Sequence, residues 1–260
     1  MASKADRHKL YQASVQCVEA EIDFIDDTFE NLRGRKARVL REDFCGTANT
    51  ACEWLTRRPN NVAYGVDLDR STLDWGLANN VPRIGERSKG LHLCCENVMT
   101  VKTPPCDAVL AMNFSYWIFK SRNRLRRYFR QVRHALADDG LLIMDCYGGS
   151  EAFTITKDRH KYNGFTYIWD QAAYNPITGE MRSHIHFGFP DGSRLDRAFT
   201  YDWRLWTLPE IQEILIEAGF TRSAVYWQGE DEDGDGDGDF KPTNIGEPDA
   251  AWIVYIVAEK

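Results

Sequence analysis

"RVLREDFCGTANTACEWL", residues 38 to 55, reads as the end of a strand, a tight loop and the start of a helix. Its loop centre, Phe44-Cys45-Gly46-Thr47-Ala48, holds a single glycine. A strand running through a short loop into a helix brings backbone close to a ligand and leaves unpaired N–H groups at the helix start, the physical basis of a nucleotide site. A dinucleotide loop needs closely spaced glycines because its pyrophosphate presses against the backbone. Phe44 and Ala48 stand where such glycines would be. NAD and FAD therefore fit poorly, and a nucleoside cofactor without phosphates asks less of this loop.

Such a site also needs a carboxylate about 20 residues on, at the end of the next strand, to accept hydrogen bonds from ribose hydroxyls. Asp67 ends VAYGVD (62–67) and meets that need. Around this pair, short apolar strands alternate with amphipathic helices. ARVLRED (37–43), VAYGVDLD (62–69), GLHLCCEN (90–97), CDAVLAMN (106–113) and GLLIMDCY (140–147) read as strands, with helices expected over 48–57, 70–79 and 121–137. Near-continuous apolar strands alternating with helices indicate a parallel sheet covered on both faces.

The stretch 6–30 reads as one helix, with Val15, Val18, Ile22, Ile25 and Phe29 at helical spacing. After Gly148-Gly149 the pattern changes: 164–206 reads as an antiparallel meander of three strands. Thr207-Leu208-Pro209-Glu210 is a capping box that opens a helix ending at Gly219. The strands SAVYWQG (223–229) and AAWIVYIVAEK (250–260) are expected to pair antiparallel and close the sheet.

Leu40 to Ala48 resembles the first motif of class I S-adenosylmethionine-dependent methyltransferases. Glu42 matches its acidic position and Cys45-Gly46-Thr47 its centre, while Phe44 and Ala48 replace two glycines. Gly65-Val66-Asp67-Leu68 resembles the second motif, Glu96-Asn97-Val98 the adenine-reading position, and Asn113-Phe114-Ser115-Tyr116 the region facing the transferred methyl. The resemblance covers about 36–150 and 205–260 and rests on the order and spacing of its motifs. It implies an α/β fold: a Rossmann-like, seven-stranded, mostly parallel sheet with a C-terminal antiparallel hairpin and an inserted antiparallel β meander. The expected division is an N-terminal helical cap (1–30), a cofactor-binding core (31–150), an inserted substrate cap (151–206) and a completing helix and hairpin (207–260). The implied cofactor is S-adenosyl-L-methionine, held by Glu42, Phe44, Cys45, Gly46, Thr47, Ala48, Asp67, Leu68, Asn97, Val98 and Asn113.

Methyl transfer from a sulfonium is an in-line displacement, so positioning does most of the work and no catalytic triad is required. The region after 114 is rich in aromatic residues, which suit a small planar or cationic acceptor. Tyr116 and Tyr147, after the fourth and fifth strands, are the candidates for positioning the acceptor; Tyr11, Trp117 and Trp203 are candidate substrate contacts. A small-molecule acceptor is the leading expectation. An RNA or protein methyltransferase, and a regulatory S-adenosylmethionine-binding protein without catalysis, are the alternatives, with a dehydrogenase behind them.

Composition agrees. The chain has 260 residues, 43% of them hydrophobic and 27% charged, enough for a sizeable core. No apolar run nears the roughly 20 residues of a membrane span. Of the net charge of −7, Glu230, Asp231, Glu232, Asp233, Asp235, Asp237 and Asp239 account for all, so the rest is balanced and lacks the basic excess of a nucleic-acid binder. The polar start and seven cysteines without paired spacing point to reduced thiols and a cytoplasmic location. No metal is expected. His184-x-His186 lacks a third ligand, and Cys94-Cys95 reads as buried filler. The basic face of 121–137 reads as solvated. Asp231-x-Asp233-x-Asp235-Gly236 resembles the start of a calcium loop, but Pro242 stands at its twelfth position, so a hydrated loop is favoured over a weak cation site.

Overall fold

The computed structural model describes residues 1–230 and 236–260. Asp6 caps α1 (Arg7–Ser14), its carboxylate accepting from the amides of His8 and Lys9. The chain then breaks at 15–17 before α2 (Val18–Arg33). The expected single helix over 6–30 is thus two. Their apolar residues have different destinations: Leu10, Tyr11 and Val15 pack on the meander, while Ile22, Ile25 and Phe29 are fully buried against the main sheet. Within the expected cap over 1–30, Met1, Ala2 and α1 reach the meander, while α2 packs on the main sheet.

The core follows as β1 (Val39–Asp43), α3 (Asn49–Arg57), β2 (Val62–Val66), α4 (Arg70–Asn79), β3 (Leu91–Cys94), β4 (Cys106–Ala111), α5 (Arg122–Ala135) and β5 (Leu136–Gly148). Four meander strands come next: β6 (Thr156–Tyr162), β7 (Phe165–Tyr174), β8 (Glu180–Gly188) and β9 (Arg194–Arg204). The chain ends with α6 (Leu208–Ala218), β10 (Arg222–Glu230), β11 (Gly236–Thr243) and β12 (Trp252–Glu259). A capping box starts α6, with the Glu210 carboxylate accepting from the Thr207 amide at 3.0 Å, and left-handed Gly219 ends it.

The main sheet has the order β11-β10-β12-β5-β4-β1-β2-β3. β1 to β5 run parallel, while β12 lies antiparallel to both β5 and β10. The seven expected strands are present, and β11 adds an eighth at the edge. The meander has four strands rather than three, in order β6-β7-β8-β9. The extra strand, TKDRHKY, is an exposed edge, and an edge strand with no buried face carries no apolar alternation to read.

Alternation sorts the sheet's two faces. Leu40, Ala108, Leu110, Leu141 and Ile143 pack under α2 and α3. Val109, Ala111, Leu142 and Met144 pack under α5 and α6. Strand order reverses between β1 and β4, so the carboxyl ends of these strands part and leave a crevice, the place where open α/β sheets bind ligands. Among the described residues no helix is long and apolar enough to cross a membrane. The acidic calcium-like stretch falls largely on residues 231–235, outside those described.

Candidate functional site

The loop after β1 keeps the backbone shape its single glycine does not advertise. Phe44, Gly46 and Ala48 all have left-handed φ, at 60°, 54° and 55°. Each L residue held there costs about 1–2 kcal/mol, and local bonds hold the turn. The Cys45 amide donates to Val66 O at 3.0 Å and the Ala48 amide to Cys45 O at 2.8 Å. The Gly46 amide donates to Asp67 Oδ2 at 2.8 Å, and the Asp69 amide to Asp67 Oδ1 at 2.8 Å. Each carboxylate oxygen has a second lone pair left for a ligand.

Two close approaches set this loop's position. A Cβ at Gly76 of α4 would lie 2.4 Å from Thr47 O. The same carbonyl accepts from Asn80 Nδ2 at 2.8 Å. On the other side Gln12 Nε2 of α1 donates to Thr47 Oγ1 at 2.8 Å, and Trp75 Nε1 of α4 donates to Asp6 at 2.9 Å. Helix α1 is thereby strapped to the loop, with Asn49 Nδ2 donating to Gln16 at 3.2 Å.

Glu42, Phe44, Cys45, Gly46, Thr47, Asp67 and Asn113 come together around one cleft of about 270 Å³. Glu42 lies at its floor, where its carboxylate accepts from the Ala51 amide at 2.9 Å. Burial pushes its pKa up to about 8, an effect the Ala51 bond partly offsets. Burial likewise pushes Asp145 up to about 7 against the opposing bonds from the Phe114 and Asn113 amides. The described lining includes Glu42, Asp43 and Asp67 and no Lys or Arg, with the Asp43 carboxylate itself turned away to its buried pair with Arg41.

A second cavity, about 500 Å³, lies between the meander and the ends of β5 and β12. Its walls include Phe114, Tyr147, Trp169, Tyr201, Trp203 and Trp252. The two cavities share Tyr11, Asn113, Tyr201 and Trp203. The cleft and the aromatic chamber therefore meet at residues drawn from α1, the turn after β4, and β9. Burial pushes the phenols of both Tyr11 and Tyr201 up from their ordinary value.

Other sequence expectations are placed elsewhere. Tyr116 is fully buried, and its hydroxyl donates to Asp145 O at 2.9 Å. It is corrected to a packing residue with no surface to offer an acceptor. Trp117 is also fully buried and backs the chamber wall, 4.8 Å from Tyr147 ring to ring, so it is no direct contact. Ala48 is buried behind the loop and lines neither cavity. Leu68 is exposed beyond the rim of the cleft. Asn97 turns its side chain to the Met99 amide at 2.9 Å and lines a separate surface groove along α5. Val98 is buried, its carbonyl accepting from Arg41 at 3.1 Å. Both Asn97 and Val98 are thus removed from the cleft lining.

Sequence reasoning missed His8, Thr72, Met112, Ile118 and Phe199, which also line the cleft. Phe199 had a legible signal, as one more aromatic residue in the meander. His184 and His186 lie on the meander face opposite Ile185 and Trp169. There His184 bonds Thr200 at 2.9 Å, and His186 bonds Asp196 at 3.0 Å and Asp170 at 3.2 Å. On α5, Arg122 and Arg126 pair with Glu217 of α6.

A scan of the sequence against protein-family models finds no match, and a search of curated proteins finds none. Solved structures do match. An S-adenosylmethionine-dependent methyltransferase from Clostridium acetobutylicum is similar over 97% of this chain and 96% of its own, at 16% identity and TM-score 0.70. DesVI of Streptomyces venezuelae matches over 98% of both chains, at 16% identity and TM-score 0.68. CalS10, an amino pentose methyltransferase from Micromonospora echinaspora solved with S-adenosylmethionine bound, covers 97% of this chain and 96% of its own, at 16% identity and TM-score 0.67. The fold is that of S-adenosylmethionine-dependent methyltransferases. In this methyltransferase fold the crevice between β1 and β4 holds the cleft, and the meander with α1 walls the chamber beside it.

Proposed function

We propose that this chain transfers a methyl group from S-adenosylmethionine to a small-molecule acceptor. The observation that carries the reading is the junction of a nucleoside-sized cleft with a separate aromatic chamber through Tyr11, Asn113, Tyr201 and Trp203.

The residues present suit the cofactor. The Asp67 carboxylate, in a cleft lining without Lys or Arg, opposes a pyrophosphate and favours a ligand that carries positive charge. Asp67 has lone pairs free for the two ribose hydroxyls, and each charge-assisted bond is worth about 1.5–3 kcal/mol. When bound, S-adenosylmethionine supplies an electrophilic methyl group on a sulfonium. Gly46 and Thr47 shape the wall against it, and Tyr147 and Trp203 hold the acceptor on the far side of the junction. Helix α1 and residues 151–206 together form the acceptor side in this reading, and residues 31–150 and 207–260 the cofactor side. An aromatic chamber of about 500 Å³ has room for a small acceptor rather than RNA or a folded protein, and seven free cysteines suit a reducing cytoplasm.

Calorimetry tests the cofactor assignment. S-adenosylmethionine and S-adenosylhomocysteine should bind and NAD should not, and Asp67→Ala should weaken S-adenosylhomocysteine at least about tenfold. No heat with either ligand on folded protein would overturn the assignment. Radiolabelled methyl appearing only in RNA or protein would overturn the acceptor class.

A further inference from the structure

The chamber's charge and its junction specify more than size. Along β6 and β7 the row lining the chamber is Thr156, Asp158 and His160 against Gln171, Trp169 and Tyr167. This places the Asp158 carboxylate at the chamber rim, opposite Trp169 in register. Glu151 reaches the same rim on a fixed backbone, because Gln171 Nε2 donates to Glu151 O at 3.0 Å and to Thr154 O at 2.9 Å. Tyr147 donates to Gln171 Oε1 at 3.3 Å, so the amide is held at both ends. Among the described lining residues of the chamber there is no Lys or Arg.

The rings complete the pattern. Tyr201 stacks on Trp203 with centroids 4.3 Å apart, and Trp169 is tilted 36° to Trp203 at 6.3 Å. Tyr201, Trp203 and Trp169 all line the chamber, and the negative faces of aromatic rings attract a cation. At the junction itself, Tyr11, Asn113, Tyr201 and Trp203 include no carboxylate and no imidazole. Both phenols are held protonated by burial. An alcohol or phenol acceptor needs a base there as it attacks, whereas a neutral amine carries its own lone pair.

We infer that the chamber selects an amine, a small primary or secondary one that enters as its ammonium ion between the aromatic wall and the Asp158 and Glu151 carboxylates. The inference rests on the methyl-transfer reading above. The ammonium sheds one proton through the rim to water. The freed nitrogen lone pair then forms the N–C bond as the C–S bond breaks, its electron pair passing to sulfur, and the methylated ammonium loses its surplus proton to solvent.

Binding separates the inference from the reading beneath it. Benzyltrimethylammonium, which cannot be methylated, is titrated into the full chain with and without S-adenosylhomocysteine, beside benzyl alcohol and benzoate. The ammonium probe should bind at least about tenfold tighter than either. Asp158→Asn with Glu151→Gln should shrink that preference to about threefold or less while S-adenosylhomocysteine still binds. Trp169→Leu should weaken the probe with the carboxylates intact. Equal binding of the three probes to protein that holds S-adenosylhomocysteine overturns the amine inference alone. Absence of S-adenosylhomocysteine binding overturns the cofactor reading instead. In turnover with S-adenosylmethionine, mass gain on benzylamine supports the inference, and gain confined to phenols or carboxylic acids overturns it.

Discussion

Asp145 grips the backbone of Asn113: the Asn113 and Phe114 amides donate to its two carboxylate oxygens at 2.7 and 2.8 Å. Both gripped residues have left-handed φ, at 55° and 56°, a conformation that costs an L residue about 1–2 kcal/mol. The carboxylate at the end of β5 thus holds a strained turn at the point where cleft and chamber meet. Asp145→Ala strands two inward amides and should cost about 2–4 kcal/mol in urea unfolding. Asp145→Asn keeps one acceptor oxygen and should recover part of that loss. Wild-type stability in the alanine variant would refute the anchoring role.

Gly76 gives a sign test. In an exposed helix interior, Gly→Ala stabilises by about 1 kcal/mol. Here the new methyl would sit 2.4 Å from Thr47 O, a backbone atom of the loop after β1. Gly76→Ala should instead destabilise by about 1–3 kcal/mol and weaken S-adenosylhomocysteine in calorimetry. A gain in melting temperature would show that the loop yields without cost.

Arg41 and Asp43 are both fully buried and pair at 2.7 Å, with Tyr128 donating its hydroxyl to Asp43 at 2.9 Å. Breaking a buried pair from one side leaves an uncompensated charge and costs about 3–5 kcal/mol. Asp43→Ala should lose that much in denaturant unfolding. Arg41→Met with Asp43→Leu should recover most of it, because the desolvation penalty leaves with the charges.

Three buried carboxyls set a pH dependence. Burial raises Glu42 to about 8, Glu21 to about 7 and Asp145 to about 7. The folded chain then keeps protons that the unfolded chain has released, so stability falls as pH rises from the ordinary carboxyl range towards the folded values and levels off above them. The thermal midpoint should therefore drop between about pH 5.5 and about pH 8.5. Glu42→Gln should flatten the drop. A midpoint that climbs over this interval would contradict the burial of these groups in their protonated form.

The legibility of the molecule follows the range of its interactions. The strand–loop–helix around Gly46 and the acid at 67 could be read because each depends on residues adjacent in the chain or on one simple period. The same holds for the capping box at 207–210 and the closing antiparallel pair. Edge strand β6 could not, because its polar sequence carries no buried face. The break after Ser14 was hidden by an apolar spacing that continues across it while the two helices pack on different sheets. Tyr116 and Trp117 share the aromatic composition of a binding wall, and only packing density distinguishes a ring buried on every side from one facing a cavity.

By itself the sequence determined the α/β alternation, the position of the loop after β1 and the carboxylate that ends β2, since local periodicity and turn chemistry are sufficient for these. Only the tertiary structure decided which side chains converge. Tyr11, Asn113, Tyr201 and Trp203 come from three distant parts of the chain, and nothing local to any of them encodes the others. Their meeting is set by how the meander and α1 pack on the sheet, where shape complementarity between buried surfaces outweighs any preference carried by a single segment.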